Sequence, residues 1–205
     1  MNRRTIQLFT RTKAKLRTLD FDELNVMSSF ETLYSTLDES YRKKLKELYK
    51  LRYAEVVQWM RDSGRKKAKV PDDDELDDMA EMYLAGLLSE PNATVHYAWE
   101  TEVLRKRDRA AEAVNSVSGI GNKQTEMEKH QRYIAAQAGI YADFTSQGAE
   151  LNALADSGVK RVQRHECRDS RVCDVCKAAD GAIYAIDKVP EIDHPHCRRW
   201  FTPVN

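Results

Sequence analysis

The chain has 205 residues, enough for one sizeable core or for a helical part carrying a small second unit. Hydrophobic residues make up 41% and charged residues 32%, with a mean hydropathy of -0.67, wetter than a compact enzyme yet too rich in Leu, Tyr and Met for a disordered tail. Lys and Arg together number 33, as do Asp and Glu, so no global field draws the protein to nucleic acid or membrane, and any such contact has to be local.

The opening stretch, MNRRTIQLFTRTKAKLRTL, is basic and partly apolar. It lacks the continuous apolar run and small-residue cleavage site of a secretory signal, which predicts synthesis in the cytosol. No segment approaches the roughly 18 consecutive apolar residues of a membrane span, so no membrane partner is expected. Arg3, Arg4, Arg11, Lys13, Lys15 and Arg17 precede the first acidic residue, Asp20. They read as a solvated helix face, with DNA or an acidic protein surface as the alternative.

From Asp22 to about Asp62 the apolar residues Phe30, Leu33, Tyr34, Leu37, Tyr41, Leu45, Leu48 and Tyr49 recur at helical spacing. About forty residues would span on the order of 60 Å as a helix. That exceeds what the remaining helices readily cover, so Phe30, Leu33, Leu37, Tyr41 and Leu45 are predicted to face a partner. The alternative is that later helices fold back over the stripe. Residues 1–62 thus form an N-terminal basic segment and long helix, and 63–71, with Gly64, Pro71 and a basic run, read as an exposed linker.

Residues 72–157 read as a helical region. The acidic run Asp72, Asp73, Asp74 and Glu75 suits a helix N-terminus, with Leu76, Met79, Met82, Tyr83 and Leu87 as its stripe. Ser89-Glu90-Pro91-Asn92 ends it, and Thr94 is placed to cap a third helix running to about Val117. A fourth, from about Lys123 to Ala155, carries Met127, Tyr133, Ile134, Ile140, Tyr141, Phe144, Leu151 and Leu154 inward. After Gly158, alternation over 159–164 and 181–186 predicts two short strands. The expected fold is mainly α: an extended helical body with a small C-terminal α+β, zinc-knuckle-like module over 158–205.

All four cysteines fall in that module: Cys167, Cys173, Cys176 and Cys197. In a reducing compartment such clustering points to metal before disulfide. Cys173 and Cys176, then His194 and Cys197, give C-x2-C-x17-H-x2-C. Each short turn can present two donors to one tetrahedral Zn2+. The predicted metal ligands are therefore Cys173, Cys176, His194 and Cys197, with His196 able to replace His194 and Cys167 able to make a four-thiolate site. The competing reading packs the cysteines as small hydrophobes around a hairpin core. Four protein ligands would leave no open position, so the zinc would be structural and no catalytic residue is expected.

The stretch Gly158 to Val162, then Asp169-Ser170-Arg171-Val172-Cys173-Asp174-Val175-Cys176, Asp180-Gly181, Tyr184, Pro190 and His194-Pro195-His196-Cys197-Arg198 resembles the C-terminal signature of the phage minor head (head-morphogenesis) protein family related to the F protein of phage Mu. The match covers about the last fifty residues, and more loosely the helix through Arg132-Tyr133-Ile134-Ala135; nothing before about residue 120 takes part. The family often ends H-P-x-C-R-C, whereas Arg199 stands in the last position here, which points to His194 or Cys167 to complete the site. Its usual arginine-threonine-glutamate stands as Ala136-Gln137-Ala138, so no polar role of that helix carries over. The resemblance implies a low-copy, non-enzymatic protein inside the virion, in the capsid interior near the portal after assembly in the host cytoplasm. Its implied partners are the portal and other head proteins, with DNA contact inside the head and a part in DNA packaging or ejection left open, and without a small-molecule substrate.

Two other functions compete. An HNH-like nuclease also clusters His and Cys near a hairpin, but needs a general-base His with an Asn or His on a following helix. Only eight residues follow Cys197, which argues against it. A small nucleic-acid-binding zinc protein would need a basic C-terminal surface; from Lys160 onward nine Lys and Arg face seven Asp and Glu, too balanced for a strong phosphate-binding face. Asp169 and Arg171 read as a charged pair or turn caps, and Arg198, Arg199, Trp200 and Phe201 as ordinary surface cover, with nucleic-acid stacking as the alternative.

Overall fold

The computed structural model describes residues 26–65, 68–90, 98–167, 170–192 and 197–204. They are mainly helical. Four long helices, α1 (Val26–Asp62), α2 (Asp73–Ser89), α3 (Trp99–Ser116) and α4 (Ile120–Asp156), precede strand β1 (Arg161–Glu166), short helix α5 (Asp174–Ala179), strand β2 (Ile183–Ala185), a 3-10 turn (Ile186–Lys188) and strand β3 (Arg199–Val204). The strands form one antiparallel sheet in the order β2-β1-β3. Among the described residues no helix is long and apolar enough to cross a membrane.

Local chemistry sets the helix ends. Asp72 Oδ1 accepts from the Glu75 N–H at 2.9 Å while Glu75 Oε2 accepts from the Asp72 N–H at 3.1 Å, a reciprocal capping box at the start of α2. Gly64 and Gly158, with φ of 95° and 81°, close α1 and α4 in the left-handed conformation that a Cβ disfavours. At the second, the Val159 N–H reaches Leu154 O at 3.0 Å and the Gly158 N–H reaches Ala155 O at 2.8 Å. This turn sends the chain from α4 into β1. The predicted cap Thr94 lies outside the described residues; α3 starts at Trp99, with Ala98 before it making no side-chain cap bond.

The chain divides into two compact units: Met1–Lys44 with Leu87–Tyr141, and Leu45–Gly86 with Ala142–Asn205. In the first, Trp99 is buried between Tyr41, with ring centroids 4.7 Å apart, and Tyr141, at 5.2 Å edge-on. Trp99 Nε1 donates to Asp38 Oδ1 at 2.6 Å, and the Tyr41 hydroxyl donates to Ala138 O. Ala110, Ala111 and Val114 of α3 are fully buried in the same unit. In the second, Tyr49, Tyr53, Val56, Val57 and Met60 of α1 share one core with Leu76 and Ala80 of α2, Ala149, Ala153 and Leu154 of α4, and Val159, Val162 and Phe201 beside and within the sheet.

These cores correct two expectations. Tyr41 and Leu45, predicted to face a partner, are 3% and 1% exposed inside the chain's own units, because later helices supply the covering side chains. The side chains of Phe30, Leu33 and Leu37 lie outside the described residues. Of the segment expected to be an exposed linker, Ser63, Gly64 and Lys69 are exposed, but Ala68 is buried in the core, Val70 packs against it, and Arg61 Nε donates to Ala68 O at 2.6 Å.

Candidate metal centre

β1 alternates as expected of a half-buried strand, but its inward positions are unusual. Val162 meets the apolar core; the next two inward residues, Arg164 and Glu166, are 2% and 4% exposed. Either charge alone would be costly to bury. They neutralise each other, Arg164 Nε donating to Glu166 Oε1 at 2.6 Å. The Asp180-Gly181 turn holds this end of the strand. Asp180 Oδ1 accepts from the Glu166 N–H at 3.0 Å, and the Gly181 N–H, at a φ of 83°, donates to Arg164 O at 2.8 Å.

The C-x2-C spacing is expressed as a helix cap. Cys173 stands at the N-cap of α5 in extended conformation, and its Sγ accepts from the Cys176 N–H at 3.4 Å. Cys176, one turn on, is buried and points its sulfur at the Arg164–Glu166 pair, with Arg164 Nη2 donating to Sγ at 3.4 Å. Cys197 arrives just before β3, its Sγ 3.8 Å from that of Cys176. Bonded sulfurs lie about 2.05 Å apart; all four cysteines are free thiols. Two thiolates on one tetrahedral Zn2+, with bonds of about 2.3 Å, would stand about 3.8 Å apart, the spacing seen here.

Among the described residues the group able to hold a metal is Glu166, Cys176 and Cys197, with one donor atom from each within 4.8 Å of the others. Burial pushes the Cys176 thiol up to about 12, assisted by Cys173 and Cys197. Burial, then the Glu166 charge, also raises Cys197. Both are therefore protonated at neutral pH without a cation, and a soft dication would have to displace their protons.

Of the predicted ligands, the structure brings Cys176 and Cys197 together. Cys173 is exposed and stands outside the donor triangle. His194, like the alternative His196 and also Asp169, lies outside the described residues. Cys167 is half-buried and does not join the group. Glu166 was not foreseen. The signal for it was the period-two extension of the strand, Val162-x-Arg164-x-Glu166, which aims the carboxylate inward on the strand's last residue.

The residues after Cys197 also differ from expectation. Phe201 is buried in the core, and its N–H donates at 3.0 Å to Glu150 Oε1, whose other oxygen accepts from Arg52 Nη2 at 3.0 Å. Arg199 is buried and donates to Gln147 Oε1 at 2.8 Å and Pro190 O at 2.5 Å. Trp200 remains exposed, stacked on His165 with centroids 5.6 Å apart. A nucleic-acid surface built on Phe201 and Arg199 is therefore excluded.

No family model, no curated protein and no solved structure matches the chain.

Proposed function

We propose that the protein is a minor head protein of a tailed phage, acting by assembly with the portal and capsid interior, and that its C-terminal module is stapled by a structural Zn2+. The observation that supports this reading is that the residues of the signature are the joints of the module. Gly158 turns the chain out of α4, Val162 enters the core, Cys176 and Cys197 converge, and Asp180 and Gly181 fasten the end of β1. Residues so engaged describe a fold unit. Nuclease chemistry would require a helix after the last cysteine, where this chain forms β3.

The test is co-expression of the tagged chain with a portal protein and the other head proteins of its phage, followed by purification of procapsids. Incorporation in a few copies per head, with about one zinc per chain by elemental analysis, is the expected result. Heads that assemble and package normally without the chain would overturn the assembly role. Cleavage of plasmid or single-stranded DNA in Mg2+ or Mn2+, lost in His194→Ala or His196→Ala, would replace it with the nuclease reading.

A further inference from the structure

We propose that Glu166 is a direct metal ligand, forming with Cys176 and Cys197 a Cys2Glu triangle for a divalent cation of the zinc class, with Arg164 as its fixed counter-charge. This rests on the metal reading above and alters its ligand set. The three donors come from the end of β1, from α5 and from the segment before β3, so their approach within 4.8 Å is a product of tertiary folding. Glu166 directs one carboxylate oxygen to Arg164; a carboxylate offers about four lone-pair sites and can hold an arginine and a cation together. Cys173, by contrast, is exposed, outside the triangle, and employed as the cap of α5.

The charge balance favours the same set. Arg164 already pairs with Glu166 at 2.6 Å. When a dication binds, the two thiol protons leave to solvent; the cation, two thiolates, carboxylate and guanidinium again sum to zero. One dication replaces two protons, and no net charge is left in a buried place. A third thiolate from Cys173 would leave the cluster with an excess negative charge.

The test is titration of the reduced full-length chain with Co2+, read by its thiolate charge-transfer and d–d absorption, followed by competition with Zn2+ and a chelator. The expected spectrum has the intensity of two thiolates and is unchanged in Cys173→Ser. Glu166→Gln is expected to shift the d–d bands and to weaken binding beyond the roughly 10–100-fold that loss of an outer partner costs. Glu166→Asp keeps the charge that Arg164 needs but retracts the carboxylate by one methylene, so it provides a folded chain in which the spectrum alone decides: changed for a ligand, unchanged for an ion-pair partner. Three thiolates, one of them lost in Cys173→Ser, with a spectrum indifferent to both Glu166 variants, would overturn the proposal and leave the sequence-derived zinc site standing. A folded chain that takes up neither Co2+ nor Zn2+ would overturn both.

Discussion

Gly148 lies where α4 passes the ring of Tyr83: a Cβ built on it would stand 2.1 Å from Tyr83 Cζ. The ring cannot move freely, since its hydroxyl donates to Phe144 O at 2.8 Å. Alanine gains about 1 kcal/mol over glycine in a helix, but overpacking costs about 1–3 kcal/mol, and here the overlap involves a tethered ring. Gly148→Ala is therefore expected to lower the denaturation midpoint in urea, and Tyr83→Ala in the same chain to relieve the clash, giving a strong coupling in the double-mutant cycle. Additive effects would mean that Tyr83 does not occupy this place. Arg164 and Glu166 bear on each other in the same way through charge. Arg164→Met leaves a buried carboxylate without its partner and is expected to cost about 3–5 kcal/mol, whereas Arg164→Met with Glu166→Met recovers most of that loss. Equal stability of the single and double variants would show that the pair is not buried as described.

At the scale of elements, α1 and α2 are joined by a ladder of charges as well as by the core. Lys46 Nζ lies 2.8 Å from Asp77 and 2.6 Å from Glu81, and Lys50 Nζ lies 2.6 Å from Asp73 and 2.5 Å from Asp77. Hydrogen bonds from Lys46 and Lys50 hold the Asp77 carboxyl below its usual range. A carboxyl depressed in the folded state binds fewer protons there than in the unfolded chain, so its contribution is complete above the unfolded value, roughly 4, and fades as pH falls through the folded one. Asp77→Asn is expected to flatten the stability profile below about pH 4, with a small effect at neutral pH because the groups are only partly buried and solvent screens them. A profile parallel to that of the parent chain would exclude Asp77 as a contributor. The helix boundaries here were legible because each has a local cause: the Asp72–Glu75 box, and the glycines at 64 and 158. β3 was not legible. Arg198, Arg199, Trp200 and Phe201 read as surface cover, but Arg199–Val204 forms β3, an edge strand, where Pro203 is tolerated. Arg164 and Glu166 were hidden for another reason. Alternation rules assign charged residues to solvent, and only the tertiary meeting with Cys176 gives the pair a reason to face inward.

At the scale of the whole molecule, the spacing of the cysteines suggests a module that depends on its metal, as zinc knuckles do. The core places it differently. Val159, Val162 and Phe201 lie in the same apolar cluster as Tyr49, Tyr53, Leu76, Ala153 and Leu154, and the Phe201 N–H is anchored to Glu150 of α4. The sheet is thus attached to helices through its inner face, and a metal between Cys176 and Cys197 would fasten the loop and short helix at one end. Chelation of the purified chain is therefore expected to lower its thermal midpoint while leaving the far-ultraviolet helical signal and the near-ultraviolet signal of Trp200 on His165 in place below that midpoint. Phe201→Ala attacks the shared core and is expected to cost about 3–5 kcal/mol, weakening sheet and helices in one transition, with or without metal. If chelation instead abolishes the Trp200 signal while the helices stay folded, the sheet owes its order to the cation, and Val162 and Phe201 are not a sufficient anchor.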